Sequence, residues 1–223
     1  IILTSITKTS LCHEFWIDPK NYHLSSNEKA VANIFIGENF EGSPIPFTKE
    51  YFKIAFLYAE DNKSKIKGRL GDIPALNIKK TFKGLNVIQI ESVTKYVEYE
   101  KLVKFEIFTR EKGYPNLAQK HRENNYPENF FESYKRYAKS LISVENFEGK
   151  DIDTNMEFEL IFLDNPLKNL NESKRILLEY KNKILADHKV SIMSLNNGYF
   201  RKEYVRTNEV GHFDYLFKEN TKY

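Results

Sequence analysis

Side chains with ligating or nucleophilic chemistry are few in this chain: one cysteine, Cys12, and five histidines, His13, His23, His121, His188 and His212. Cys12 and His13 stand together in "LCHEFWIDP", which also holds the only tryptophan, Trp16. Inside a chain, His13 offers a single imidazole. As the first residue of a processed chain it carries a free amine beside that imidazole, and the two nitrogens chelate a late transition metal such as nickel, cobalt or copper. His23, ten residues on and beyond Pro19, is the candidate second imidazole if the chain folds back. Plainer readings stand beside these: His13 packed against Phe15 and Trp16, and His23 on a surface loop. His121 in "AQKHREN" is expected on a solvated helix, and His188 and His212 at hairpin positions. The apolar run Phe15-Trp16-Ile17 is expected as a buried anchor rather than a binding platform.

Other chemistries find no support. The nine glycines form neither G-x-x-x-x-G-K-[ST] nor G-x-G-x-x-G. His13-Glu14 is not followed by the second histidine of H-E-x-x-H, and no G-x-S-x-G elbow occurs. Acidic residues are plentiful, but nothing in their spacing marks a catalytic pair. No enzymatic activity is therefore expected.

The status of His13 depends on what precedes it. The opening "IILTSITKTSLC" resembles the tail of a secretory signal. Ser10 and Cys12 take the two small-residue places of a cleavage site, which sets the cut before His13. Residues 1–12 are thus expected to be a signal-peptide remnant, and the mature protein, in the periplasm or secreted, to lack cysteine. Thiol catalysis and cysteine-ligated zinc then drop out. The alternative is that 1–12 is a ragged terminal strand. The chain also stops at Tyr223 without a closing strand, so the sequence is expected to be truncated at both ends.

The elements that must position these residues are mostly strands. Of the 223 residues, 41% are hydrophobic and 14% aromatic, enough for a core. The 34 basic and 31 acidic residues intermix with no basic stripe, so no nucleic-acid partner is expected. No apolar run reaches the roughly 18 residues of a membrane span. "AVANIFIG" (30–37), "YFKIAFLYA" (51–59) and "LNVIQIES" (85–92) read as strands, with "ENFEGSPIPF" (38–47) as a loop and "EDNKSKIKGRLGD" as a polar connection. Leu102, Phe105, Ile107 and Phe108 with the stop at Gly113 predict a helix, while 130–144 reads as helix or strand. From Glu157 strands return: "EFELIFL", "KRILLEYKNK", "HKVSIMSL", "YFRKEYV" and "HFDYLF", with "NNG" (196–198) as a tight turn. The expected fold class is mainly β. An N-terminal β-sandwich domain (13–150) carries a helical insertion around 99–141, followed by a transthyretin- or Ig-like β-sandwich (152–223).

"HEFWIDP", "IGENFEGSPIP", "FESYKRYAKSLISV", "ELIFLDNPL" and "RTNEVGHFDYLF" follow one another in this order. Together they resemble a family of exported bacterial proteins of unknown function, once described as nickel-uptake (NikM-like) periplasmic regions, over residues 13–218. The resemblance implies β-sandwich modules in the periplasm, a histidine at the His13 position directly after a signal cleavage site, and a link to nickel or cobalt. Two departures stand out. Cys12 replaces the alanine often found before the cut, and a later strand bearing a histidine would fall beyond Tyr223. The implied function is transition-metal binding through His13, with His23 as partner and metal-uptake membrane components as associates. The alternative is a structural or carbohydrate- or peptide-binding β-sandwich without metal.

Overall fold

The computed structural model describes residues 13–223, so the expected signal remnant and Cys12 lie outside the described residues. In chain order the elements are β1 (Glu14–Pro19), β2 (His23–Leu24), β3 (Ala30–Glu38), β4 (Glu41–Pro44), β5 (Ile54–Ala59), β6 (Asn62–Lys65), β7 (Leu76–Ile78) and β8 (Gly84–Glu91). Next come β9 (Lys95–Tyr99), α1 (Leu102–Glu111), α2 (Leu117–Glu123), β10 (Phe130–Tyr134) and β11 (Tyr137–Val144). The chain continues through β12 (Phe158–Phe162), β13 (Ser173–Tyr180), β14 (Lys183–Ile184), β15 (Lys189–Asn196), β16 (Tyr199–Arg206) and β17 (His212–Leu216). The protein is mainly β, as its alternating apolar segments predict.

Residues 15–93 and 135–223 form one compact unit, and residues 94–134 another. In the larger unit, one sheet has the order β1-β3-β4 with β7 also on β3, and a second has the order β2-β11-β8-β5-β6. Strand β3 shows why they pack: Ala30, Ala32 and Ile34 alternate inward. They meet Leu57, Ile88 and Ile142 of the second sheet in one hydrophobic cluster. Each such large side chain contributes on the order of 1.5–3 kcal/mol on full burial. β8 is buried on both faces along almost its whole length, which marks it as the central strand.

Beyond residue 150, β12-β13-β14 with β17 on β13 make a sheet, and β15-β16 a hairpin. Ile176, Ile192 and Phe213 join them in a second, smaller cluster. Two hydrophobic clusters thus lie on either side of residue 150 in sequence, and residues on both sides of it belong to one compact unit.

Two local readings are corrected and an open one is resolved. "ENFEGSPIPF" is not a plain loop, because β4 folds back on β3 through a turn with Asn39 and Phe40 at φ 56° and 64°. Paired positive-φ residues match the twist of a two-residue hairpin. Gly37 permits it, since a Cβ there would lie 2.0 Å from the Glu41 carbonyl oxygen. The polar connection after Ala59 likewise holds β6, paired to β5. The open stretch 130–144 is strand, as β10 and β11, apart from Lys135 and Arg136 between them. The helical insertion is accordingly narrower than 99–141.

In the smaller unit, β9 and β10 pair antiparallel around α1 and α2. Its centre is Tyr99, fully buried, with Phe105 and Phe130 at ring distances of 5.2 and 5.3 Å. Tyr99 donates its hydroxyl to Glu132 at 2.9 Å. His121 is not simply solvated: its ring lies 4.3 Å from that of Phe130, and its Nε2 is 2.8 Å from the Pro127 carbonyl oxygen. The helix face that looked polar in sequence turns its imidazole into the aromatic cluster.

Candidate functional site

The larger unit contains a mostly apolar cleft of about 850 Å³, within the usual size range of small-ligand sites. One wall is β1, through Phe15, Trp16 and Ile17; another is β11, from Tyr137 to Leu141. Tyr22, residues between 156 and 170 and the terminal segment 217–223 supply the rest. Successive residues of a strand point to opposite faces. Three in a row on β1 and five in a row on β11 therefore reach the cleft only because it runs along the edges of these strands.

Among the described residues both edges are open: β1 is bonded only to β3, and β11 is bonded to β8 from Tyr137 to Ser143 and to β2 only at Ser143 and Val144. An open strand edge presents a row of backbone donors and acceptors. Two such edges border one apolar cavity. Trp16 stacks on Phe35 at 5.3 Å, and its indole nitrogen is buried without a hydrogen-bond partner. The terminal segment is pinned beside β1 by Lys222 Nζ to Asp18 Oδ1 at 2.6 Å, and to β15 by reciprocal backbone bonds between Lys222 and Leu195.

Where β11 faces β12, a buried ion cluster closes the floor. Lys139 Nζ lies 2.9 Å from Asp151 Oδ1 and 2.6 Å from Glu159 Oε1, with side-chain exposures of 10%, 0% and 1% in that order. Lys139 also donates to the Ile152 carbonyl at 2.8 Å and the Leu160 carbonyl at 3.3 Å. Asp151 accepts the amides of Ile152 on Oδ1 and Phe162 on Oδ2, at 2.8 and 2.9 Å. Glu159 accepts the Thr154 amide and hydroxyl and the Met156 amide. Lys139 and Asp151 thereby satisfy the outer edge of β12 at Leu160 and Phe162, leaving that edge closed. Burial pushes the Asp151 carboxyl above its ordinary range, against the opposing pull of Lys139 and the two amides.

The residues expected from sequence are placed elsewhere. His13 is exposed just ahead of β1. His23, on β2, shares a hydrogen bond of 2.8 Å between its Nδ1 and Ser143 Oγ, and stacks on Phe147 at 4.7 Å. Neither lines the cleft. Among the described residues, no group of three or more His, Cys, Asp or Glu side chains could hold a metal ion. The anchor reading of Phe15-Trp16-Ile17 is half the answer: Phe15 and Ile17 pack on the main cluster, yet all three also wall the cleft.

Lys139, Asp151 and Glu159 escaped sequence reading because separations of 12 and 8 residues carry no periodic meaning. The one local signal is a lysine inside the otherwise strand-like "YAKSLISV". The fold and site define a mainly-β protein of two packed hydrophobic clusters, with a cleft along open strand edges and no helix long and apolar enough to cross a membrane among the described residues. The chain belongs to the family described as a domain of unknown function, DUF4198, whose model matches residues 11–223. No curated protein and no solved structure matches it significantly. The family's description assigns no activity, so the nickel link remains a proposal.

Proposed function

We propose that the protein is an exported binding module whose cleft takes an extended peptide, added as an extra strand along the open edge of β11. The observation that carries this reading is the pair of open strand edges, β1 and β11, bordering one mostly apolar cavity. Backbone groups of an added strand would bond the free edge, while alternate side chains enter the apolar walls. A carbohydrate is a weaker fit, because the exposed surface of the cleft is mostly apolar while sugar hydroxyls call for hydrogen-bond partners. Export rests on the resemblance of residues 1–12 to a signal tail. Fluorescence of Trp16, in the cleft wall, provides the assay. Titration with octapeptides alternating valine and threonine is expected to give a saturable spectral shift, and cello-oligosaccharides none. Saturable binding of the sugars without the peptides would reverse the assignment.

Transition-metal binding at His13 is a second reading, favoured by the exposure of that residue directly ahead of β1. It requires a free amine at His13, with His23 as the candidate partner imidazole.

A further inference from the structure

We propose that Lys139 and Asp151 condense into an intramolecular amide, with Glu159 moving the proton that the reaction transfers. The inference rests on the buried cluster and is independent of what the cleft binds.

The charge count is the first argument. One ammonium faces two carboxylates, and all three groups are withdrawn from water. A buried ion pair barely recovers its desolvation cost, and a second buried carboxylate adds to it. Condensation removes the ammonium and one carboxylate together and puts a neutral amide in their place. The remaining carboxylate, Glu159, keeps three protein donors of its own from Thr154 and Met156.

Geometry is the second argument. The amine nitrogen already touches the carboxyl it would attack, at 2.9 Å, and the neighbouring base at 2.6 Å. Reactants held this way gain effective molarities of roughly 10⁵–10⁸ M over the same groups free in solution. The surrounding backbone suits the electrophile. The Phe162 amide bonds Oδ2 of Asp151 and stabilises negative charge on it as the tetrahedral intermediate forms, while Oδ1 faces the amine. Burial also favours the protonated, more electrophilic carboxyl at Asp151, which forms when the proton Glu159 takes from the Lys139 ammonium passes to Oδ1.

The step balances within the three side chains. Glu159 takes one proton from the Lys139 ammonium, and the freed electron pair of Nζ attacks Cγ of Asp151. The Nζ–Cγ bond forms and the Cγ–Oδ1 bond breaks. Oδ1 departs as water carrying the two protons that Nζ has lost, one of them by way of Glu159, and Oδ2 becomes the amide carbonyl oxygen. Ammonium and carboxylate charges cancel, so no net proton, oxidant or co-reactant is involved. The product ties β11 covalently to the connection ahead of β12 and locks the floor of the cleft.

Mass spectrometry of the purified full chain, unfolded and digested with trypsin, tests this. The amide blocks cleavage after Lys139 and joins peptide 137–150 to peptide 151–168, giving one species lighter than their sum by a single water. Separate peptides 137–139, 140–150 and 151–168 at full mass would overturn the proposal. Glu159→Gln is expected to give the separate peptides; a joined species in that variant would remove Glu159 from the reaction. Should Glu159→Gln not fold, the wild-type digest still decides whether the bond exists. Lys139→Arg, which keeps the charge but lacks the amine nucleophile, then serves as the unjoined control.

Discussion

Replacing Lys139 with methionine isolates the energetics of the buried cluster. The substitution keeps a long apolar stem and removes the one nitrogen, whether ammonium or amide-bonded, that neutralises carboxyl groups 0% and 1% exposed. Leaving buried charge uncompensated costs about 3–5 kcal/mol. The deficit has a defined pH dependence. Burial already raises the Asp151 carboxyl, and Lys139 is the foremost influence lowering it, so its loss raises the group further. A carboxyl raised in the folded state holds its proton more tightly there than in the unfolded chain. It therefore stabilises the variant fully below the ordinary value of 3.8, and that stabilisation is lost as pH climbs through the raised value. Across this window the variant gains up to about 1.4 kcal/mol per pH unit on acidification for each proton bound. Urea unfolding at pH 7 and near pH 4.5, followed by Trp16 fluorescence, reads the larger unit specifically. A deficit below about 1 kcal/mol at pH 7, or one that does not shrink at the lower pH, would refute the reasoning.

Three further outcomes are expected. Leu160 lines the cleft and is 37% exposed, so Leu160→Asp should leave the melting point nearly unchanged. Covering Leu160 is worth about 0.5–1 kcal/mol, and shutting a carboxylate under the ligand costs about 1–3 kcal/mol more, so peptide affinity should fall roughly 10- to 700-fold in the Trp16 titration. Gly37→Ala places a Cβ 2.0 Å from the Glu41 carbonyl oxygen and 2.4 Å from Gly42 Cα, both backbone. The β3–β4 hairpin must open, at about 1–3 kcal/mol, and calorimetry should show a melting point several degrees lower; an unchanged one would mean the hairpin tolerates the clash. Chain beginning at His13 should bind nickel or copper stoichiometrically by elemental analysis, and one added residue should abolish this by turning the amine into an amide; equal metal in both would exclude His13 chelation.

Much of the fold is legible locally. Strands β3, β5, β8 and β13 coincide with runs of apolar and β-branched residues, and the Asn197-Gly198 turn takes the positive φ values of 47° and 82° that its composition predicts. Helix α1 ends before Gly113 at φ 88° as its glycine stop requires. Strand β4 is hidden because all four of its residues are exposed and one is proline, a pattern that reads as loop away from its partner. The stretch 130–144 is ambiguous because Phe131, Tyr134, Ala138 and Leu141 mimic helical spacing. The alternation that prevails is Ala138, Ser140 and Ile142, and a buried serine weakens it to the eye.

By itself, the sequence determined which segments extend, where hairpins turn and that the protein is built from β-sheets, because backbone conformation and facial alternation respond to neighbours a few residues apart. Only the tertiary structure decided that, among the described residues, no strand pairs the edges of β1 and β11 beside their common cavity. It alone brought Lys139 to Asp151 and Glu159. Whether an edge is paired and whether a charge is buried depend on strands distant in sequence, and no local pattern reports which of them arrive. His13 stood out in sequence because its chemistry is visible in one residue. The cluster did not, because its chemistry exists only between three.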